Sequence, residues 1–381
     1  MAQNTQHQIK AGPTPRPDEN SPGQIVLVLQ GGGALGAYQV GVYQAMHEAG
    51  IEPEWVIGTS IGAINGAIIA GNPPAQRLDK LTRFWDLVQK PQGSALASMW
   101  LAMASAFSNH DTYTKGIEKF FVPNPQALFG VHMPLGIENA AFYSTAPLLE
   151  TLADLIDFDY INERHGRLTL GAVNVRSGEM HYFDNRELAL GVEHVMASGA
   201  LPPAFPAVRI DCETYWDGGI YSNTPIEVVL DDKPRRNSLI FSANVWHPTG
   251  DEPESIWQVI GRQKDIQYAS RDRSHVKRQQ QIHRMRHIIR DLGKHMPAAM
   301  REDPEVSKLL AYGCSTIMHV VPLLAPRVDG EDHTKDIDFS AAGIRGRWKS
   351  GYADTCRAIA QAPWKHAMDA MDGVIIHEVK P

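Results

Sequence analysis

This chain of 381 residues has few cysteines, no long apolar run and no excess of positive charge. The three cysteines, Cys212, Cys314 and Cys356, lie far apart without the spacing of metal ligands, which argues against a metal site and suits a reducing compartment. No apolar run approaches the roughly 20 residues that a transmembrane helix needs. Because 36 Lys and Arg face 43 Asp and Glu, the formal net charge of -7 excludes a global field that attracts nucleic acid. These absences predict a soluble, cytoplasmic protein that does not bind nucleic acid.

The chain divides into three parts that differ in residue composition and in the pattern of apolar residues. Residues 1–23 are rich in Pro, Gln and Asn and contain no apolar core of a signal peptide, which predicts a disordered tail. From 24 to 250, short apolar strands alternate with helices, as in a mainly parallel sheet that helices cover on both faces. Strands are expected at 25–30, at 55–57, in a hairpin over 167–185 and at 237–246, with helices at 38–49 and 63–70.

Beyond residue 250 the strand-like runs thin out, so we expect a helical C-terminal region over 251–381 and a sheet that ends near 250. The basic segment 271–294 of this region places apolar residues near one helical face. It predicts either contact with an anionic membrane surface or a partner, or a solvated helix packed on the rest of the protein. Segment 94–107, rich in Ala, Met, Trp and Phe, predicts either a lid over an apolar site or an ordinary buried helix.

The segment GTSIG (58–62) fits G-x-S-x-G, the pattern of a serine on a sharp turn between a strand and a helix. Gly58 and Gly62 permit the strained backbone and the close strand–helix approach that expose the hydroxyl of Ser60 near a helix N-terminus. Because the chain holds 32 glycines, an ordinary structural turn is the alternative.

A second glycine-rich turn, GGGALG (31–36), also joins a strand to a helix. It satisfies the dinucleotide-binding pattern G-x-G-x-x-G, but that function needs an acidic residue at the end of the second strand, and the nearby acids lie at its start. In a parallel sheet both strand ends emerge at one edge, so this loop can lie beside Ser60. The amides of Gly32 and Gly33 can then stabilise the oxyanion formed when a serine attacks a carbonyl.

A base for the serine is offered by Asp217 in YWDGGIYSNTP (215–225), where Gly218 and Gly219 permit a turn that presents the carboxylate. The alternative is an Asp-Gly turn of the hairpin kind. An exposed Asp has a pKa near 3.9, too low to take a proton readily from a hydroxyl. Desolvation would raise that pKa, so we expect catalysis to depend on a dry site.

The three motifs G-G-G-x-x-G, G-x-S-x-G and D-G-G, in this order, resemble the patatin-like phospholipase family of lipid acyl hydrolases. The similarity spans residues 24–250 and includes ASGALPPAFPAV (197–208), which looks like the family's segment ahead of the aspartate. The resemblance implies a three-layer α/β/α fold, cleavage of fatty-acyl esters of lipids through an acyl-enzyme, and neither a metal ion nor an organic cofactor.

By this resemblance, Ser60 is the nucleophile and Asp217 the base of a Ser–Asp dyad, and the loop of Gly31, Gly32 and Gly33 is the oxyanion hole. The supporting glycines of the three motifs are Gly36, Gly58, Gly62, Gly218 and Gly219. Gln30 and Leu35 depart from the family pattern, since many members carry Asp and a basic residue there. The missing positive charge argues against a strong preference for an anionic headgroup.

Other functions stay open on the sequence. An α/β-hydrolase triad could be completed by His247, His319 or His333, although none of them sits in a motif. The same serine chemistry serves acyl transfer or thioester hydrolysis. From a different class, the protein could be a lipid-binding or protein-binding module that acts through its C-terminal helices. The sequence gives no oligomeric state.

Overall fold

The computed structural model describes residues 23–90, 116–130, 132–327, 331, 333–366 and 371–380. The lid candidate 94–107 lies outside these residues, as does nearly all of the predicted tail. The strands are β1 (Gln24–Leu29), β2 (Trp55–Thr59), β3 (Val122–Pro123), β4 (Tyr143–Ser144), β5 (Arg167–Asn174), β6 (Met180–Asp184), β7 (Val208–Ile210), β8 (Glu213–Asp217), β9 (Ser238–Asn244), β10 (Met318–Leu324) and β11 (Val374–Ile376).

Helices cover the sheet that these strands form. They are α1 (Ala37–Glu48), α2 (Ile61–Ala70), α3 (Pro74–Val88), α4 (Ala146–Leu155), α5 (Phe158–Asn162), α6 (Val192–Ser198), α7 (Glu227–Leu230), α8 (Ile256–His295), α9 (Ala298–Arg301), α10 (Pro304–Leu310) and α11 (Ala341–Gln361). The predicted helices at 38–49 and 63–70 and the hairpin over 167–185 are confirmed by α1, α2 and the β5–β6 pair.

The described strands, apart from the small β3–β4 pair, form a 9-stranded sheet in the order β11-β10-β9-β1-β2-β5-β8-β7, with β6 also paired to β5. The five pairings from β11 to β5 are parallel, while those of β6, β7 and β8 are antiparallel. The mainly parallel sheet is therefore confirmed. Because the carboxyl ends of parallel strands share one edge, the turns after β1 and β2 lie side by side.

Both faces of this sheet are buried, as expected for parallel strands. Leu27 and Leu29 of β1 belong to one hydrophobic core, whereas the alternating Val26 and Val28 belong to a second core. Successive side chains of a strand point to opposite faces, so the two cores lie on opposite sides of the sheet. Helices, sheet and helices thus form the three layers of an α/β/α fold.

The predicted end of the sheet near residue 250 is wrong, because β10 and β11 extend it into the C-terminal region. β10 pairs in parallel with β9, from Met318 opposite Ser238 to Leu324 opposite Asn244. The apolar run of β10 is short and contains Pro322, a residue that usually argues against an interior strand. Charged helical segments surround it, so the sequence gives little sign of this strand.

The helices of the C-terminal region pack against the sheet and its first helix. α8, with 40 residues, contains the predicted basic helix 271–294 and begins at Ser255, whose hydroxyl accepts a hydrogen bond from the Gln258 N–H. α11 lies along α1, where the Trp348 indole donates to Gln44 at 2.7 Å and the Tyr352 hydroxyl donates to Glu48 at 2.6 Å. Among the described helices, none combines the length and the apolarity that crossing a bilayer requires.

Candidate active site

Ser60 lies on a tight turn between β2 and α2, as the G-x-S-x-G pattern predicts. Its φ of 57° is unusual for a residue with a side chain, and its side chain is half-buried at the first turn of α2. The turn needs small neighbours. A Cβ on Gly62 would lie 2.2 Å from the Leu29 carbonyl oxygen, and a Cβ on Gly58 would lie 2.3 Å from the Gly62 carbonyl oxygen. These contacts explain why the flanking positions are glycine.

The strand register brings Asp217 to the same place. β2 pairs with β5 as far as Thr59 opposite Gly171, and the next residue of β5, Ala172, pairs with Asp217 of β8. β6 pairs with the other edge of β5, so β2 and β8 pair with the same edge of β5, one after the other along its length. Ser60, the residue after Thr59, is therefore adjacent to Asp217.

The Asp217 carboxylate is buried and has an altered pKa. Only 2% of the residue is exposed, and burial raises its pKa to about 7, against hydrogen bonds from the Ser60 hydroxyl and from the Gly219 N–H that lower it. The Gly219 N–H lies 2.7 Å from Asp217 Oδ1, in the short turn Gly218–Ile220. This pKa lies far closer to neutrality than that of an exposed Asp.

The segment ASGALPPAFPAV holds both of these residues from the backbone. The Ser60 N–H donates to the carbonyl oxygen of Ser198 at 3.2 Å and to its hydroxyl oxygen at 3.1 Å. Two residues later, the carbonyl oxygen of Ala200 accepts the Asp217 N–H at 3.0 Å. The segment therefore fixes the distance between the two strand ends.

The glycine loop lies beside this pair, but its three glycines differ in their contacts. The Gly31 N–H donates to the Asn223 carbonyl oxygen at 3.1 Å, and the Gly31 carbonyl oxygen accepts from the Asn223 amide at 3.0 Å and from the Trp246 indole at 2.8 Å. The Gly31 amide is thus occupied. Within the described residues, the N–H groups of Gly32 and Gly33 have no acceptor. Of the three predicted oxyanion-hole glycines, Gly32 and Gly33 therefore keep an N–H group without an acceptor within the described residues, whereas Gly31 does not.

Gly33 tolerates no side chain. Its φ is 55°, and an added Cβ would lie 2.2 Å from the carbonyl oxygen of Asp336. Gly36, at the start of α1, packs against the side chain of Ile61. The C-terminal region thus approaches the glycine loop directly, through Asp336.

Gln30, which departs from the family pattern, is fully buried and anchors the start of the loop. Its side-chain oxygen accepts the N–H groups of Val245 at 2.5 Å and Trp246 at 3.1 Å. Its amide nitrogen donates to the Thr224 hydroxyl at 2.7 Å and to the Tyr268 carbonyl oxygen at 3.2 Å. All four hydrogen-bonding positions of the amide are used, which ties β1 to the end of β9 and to α8. Sequence reasoning missed this role, and missed Asn223 and Ser198, because each depends on contacts far apart in the chain.

A mainly apolar cavity of about 160 Å³ joins these elements. Phe120, Phe121, Tyr143 and Phe205 form an aromatic wall with ring centroids 5.0 to 6.3 Å apart. The lining residues are Gly31, Gly32, Gly33, Ser60, Ile61, Ile64, Phe120, Phe121, Tyr143, Leu148, Gly199, Leu201, Ala204, Phe205, Asp217, Gly219, Asn223, Trp246, Tyr268, Asp336, Ile337 and Phe339. Several of them come from the C-terminal region, which is therefore part of the cavity.

None of the three candidate triad histidines lines this cavity, and neither does any other histidine of the described chain. Burial and the nearby Lys335 lower the pKa of His247 to about 4. His319 is stacked on His377, and His333 is stacked on Trp257. In addition, no cluster of three or more His, Cys, Asp or Glu side chains within the described ranges could hold a metal ion.

Comparison with known proteins defines the class to which this fold and site belong. Residues 27–230 match the family described as patatin-like phospholipase, and residues 266–371 match a second family described as patatin phospholipase. The first match covers more than half of the chain, so the protein belongs to the patatin-like phospholipase family, a family of ester-bond hydrolases. The resemblance of the three motifs is thereby confirmed, and the second match extends it past residue 250.

Relatives share short stretches of this sequence. The chain is 46% identical over 61 residues to patatin-like phospholipase domain-containing protein 6 of Mus musculus, and 34% identical over 107 residues to neuropathy target esterase sws of Drosophila melanogaster. These stretches are 16% and 26% of this chain but only 4% and 8% of those proteins. A solved structure, VipD from Legionella pneumophila, aligns over 88% of this chain and 67% of its own, with 13% identity and a TM-score of 0.36.

Proposed function

We propose that this protein is a serine acyl hydrolase that cleaves fatty-acyl esters of lipids, with Ser60 as nucleophile and Asp217 as general base. The observation that carries the proposal is the buried Asp217 carboxyl, with a pKa of about 7, facing the Ser60 hydroxyl in an apolar cavity. A base with a pKa near the working pH is most effective, because it is largely deprotonated yet still takes up a proton. An exposed Asp would meet only the first condition.

In the first half-reaction, Asp217 takes the proton of Ser60 while Oγ bonds to the acyl carbon and the carbonyl π electrons move to oxygen. The tetrahedral intermediate collapses as the bond to the leaving alkoxide breaks, and Asp217 gives this oxygen the proton. In the second half-reaction, Asp217 takes a proton from water, which attacks the acyl-enzyme; the fatty acid leaves and Ser60 Oγ regains the proton.

The negative oxygen of each intermediate needs donors that are already in place. The N–H groups of Gly32 and Gly33 are candidates because both glycines line the cavity and neither N–H group bonds to another described group. A donor of this kind typically stabilises the transition state by about 2.7–4 kcal/mol. Hydrogen bonds from Asn223 and Trp246 hold Gly31 at the start of the loop.

The lining of the cavity supports a fatty-acyl substrate. The aromatic wall of Phe120, Phe121, Tyr143 and Phe205 offers an apolar surface to an acyl chain, and Asp217 is buried at the same cavity. Exclusion of water also strengthens the electrostatic interactions at the reacting carbon. We further propose that the C-terminal region completes the catalytic unit, since Tyr268, Asp336 and Phe339 contribute to the same cavity.

A lipid panel tests the proposal. Phosphatidylcholine, lysophosphatidylcholine, triacylglycerol and a fatty-acyl thioester are incubated with the wild type, Ser60→Ala and Asp217→Asn, and released fatty acid is measured by mass spectrometry. Ser177→Ala, in the exposed turn between β5 and β6, serves as the matched control. We expect release from at least one ester by the wild type and the control, and loss of about a thousandfold or more in both site variants. Equal release by Ser60→Ala would end the proposal.

A further inference from the structure

A second depression, of about 280 Å³, lies between the last turns of α8 and the segment that leads into β10. Arg290, Lys294 and Arg301 line it, together with Gly313 and Ser315. The Asp291 carboxylate accepts from Arg290 at 2.9 Å and from Lys294 at 3.0 Å, so one negative charge serves two positive ones. Arg301 has no ion pair among the described residues. The depression therefore carries a surplus of positive charge.

Two further arginines extend this charge. Arg286, one turn before Arg290 on α8, adjoins the depression: its carbonyl oxygen accepts the N–H of Cys314, a lining residue, at 3.2 Å, and its guanidinium interacts electrostatically with Cys314. Arg235 lies close to Arg286, and each has a buried guanidinium nitrogen without a hydrogen-bond partner within the described chain, Nε of Arg235 and Nη1 of Arg286. Burial and the charge of Arg235 lower the pKa of Arg286. The charge of Asp231 opposes this lowering, but its carboxylate accepts a hydrogen bond from the amide of Gln279.

Arg235 and Arg286 are half-buried, and a buried guanidinium nitrogen without an acceptor is costly on each of two arginines that repel each other, unless an anion joins them. Arginine forks match the oxygens of phosphate in two parallel hydrogen bonds, and a lysine and a serine hydroxyl supplement them. We propose that this depression, which we call the basic groove (Arg235, Arg286, Arg290, Lys294 and Arg301), is a binding site for a phosphate-bearing ligand. The ligand is either a free phosphorylated molecule or the headgroup of an anionic lipid, and both share the phosphate chemistry.

The basic groove is separate from the candidate active site. Arg235 comes shortly before β9, and Ser315 comes shortly before β10, so the groove lies at the amino edge of these parallel strands. Ser60 lies at the opposite, carboxyl edge, after β2. A ligand in the groove therefore does not compete with substrate, and its binding can be measured without reference to activity.

Binding of sodium pyrophosphate and of phosphatidylcholine vesicles with or without phosphatidic acid tests the proposal, on the full chain at constant ionic strength. Calorimetry measures pyrophosphate binding, and co-sedimentation measures vesicle binding. Arg286→Gln and Arg290→Gln are the test variants, Arg301→Gln is an exposed one that spares the fold, and Arg284→Gln is the matched control on the same helix outside the groove. We expect affinity to fall about tenfold or more in each groove variant and to stay within about twofold in the control.

The free protein supplies a second readout. Without anion, Arg286→Gln removes a charge that repels Arg235, so its melting temperature stays at or above that of the wild type; with pyrophosphate, the melting temperature of the wild type rises more than that of Arg286→Gln. Binding of either probe that depends on the groove residues supports the site. Binding of pyrophosphate alone indicates a free phosphorylated ligand, whereas binding of the phosphatidic acid vesicles indicates a lipid headgroup. Absence of binding by both probes would overturn the proposal. So would equal losses in Arg284→Gln, which would indicate unspecific attraction to the helix.

Discussion

The backbone N–H of Ser60 is shared between two oxygens of a single residue, the carbonyl oxygen of Ser198 at 3.2 Å and its hydroxyl oxygen at 3.1 Å. The Ser198 hydroxyl in turn donates to the Gly171 carbonyl oxygen at 2.6 Å, on the strand that separates β2 from β6. Ser198 is fully buried. The strained turn that carries the candidate nucleophile is thus fastened to the sheet through this residue.

Replacing Ser198 by alanine should therefore lower kcat while leaving KM nearly unchanged. The Ser60 N–H would keep one acceptor of two, and the turn would lose its link to Gly171; we expect kcat to fall about tenfold. Steady-state kinetics on the best lipid ester measures this. Ser238→Ala removes another fully buried hydroxyl, at the amino end of β9, and should cost stability without the loss in kcat. An unchanged kcat in Ser198→Ala would contradict the account.

The pH dependence of activity should follow Asp217. The base acts in its deprotonated form, and its pKa is raised to about 7 by burial, so kcat/KM should rise with pH and level off above that value. A pH–rate profile of the wild type measures the free-enzyme pKa. If the profile were already flat from pH 5 upward, the carboxyl would have an ordinary pKa and the dry-site explanation would fail.

The same shift predicts how stability depends on pH. Because the folded-state pKa is raised from 3.8 to about 7, the contribution of Asp217 to stability is full below pH 3.8 and is lost as the pH rises through about 7. Asp217→Asn keeps an acceptor for the Gly219 N–H but carries no charge. At pH 8 it should be more stable than the wild type by roughly 1–4 kcal/mol, a gain that shrinks toward pH 4. Denaturant unfolding at both pH values checks this, and parallel changes in the two proteins would refute it.

Gln30 should prove to be a positioning residue of the glycine loop. Gln30→Met keeps the length of the side chain but leaves the N–H groups of Val245 and Trp246 without their acceptor, so we expect a loss of about 1–3 kcal/mol in stability and a lower kcat. Gln24→Met, at the other end of β1, removes one hydrogen bond far from the site and serves as control. A kcat equal to that of the control would show that Gln30 supports the fold alone.

The elements around the motifs could be predicted from the sequence because their signals are local. The alternation of apolar strands with glycine turns identifies β1, α1, β2 and α2, and the Asp-Gly-Gly segment predicts the turn that follows β8. The strands β10 and β11 could not be predicted. β10 pairs with β9 and β11 pairs with β10, and this pairing supplies the stabilisation that their short sequences do not encode.

Within the candidate site, the sequence identifies Ser60, Asp217 and the glycine loop, and the structure places all of them around one cavity. The sequence does not indicate that the Gly31 N–H donates to Asn223, nor that Asp336 of the C-terminal region contacts the loop. Both facts follow from long-range packing, which no local pattern encodes.

Reaction with a fluorophosphonate probe tests the central claim most directly, because such a probe forms a covalent bond only with a serine that is activated and placed beside oxyanion donors. The adduct is located by peptide mass spectrometry in the wild type, Ser60→Ala and Asp217→Asn. The account predicts one adduct on Ser60, its absence in Ser60→Ala, and labelling slowed about a hundredfold or more in Asp217→Asn. An unlabelled Ser60 in a folded wild-type protein that still hydrolyses lipid, or labelling as fast in Asp217→Asn as in the wild type, would contradict it.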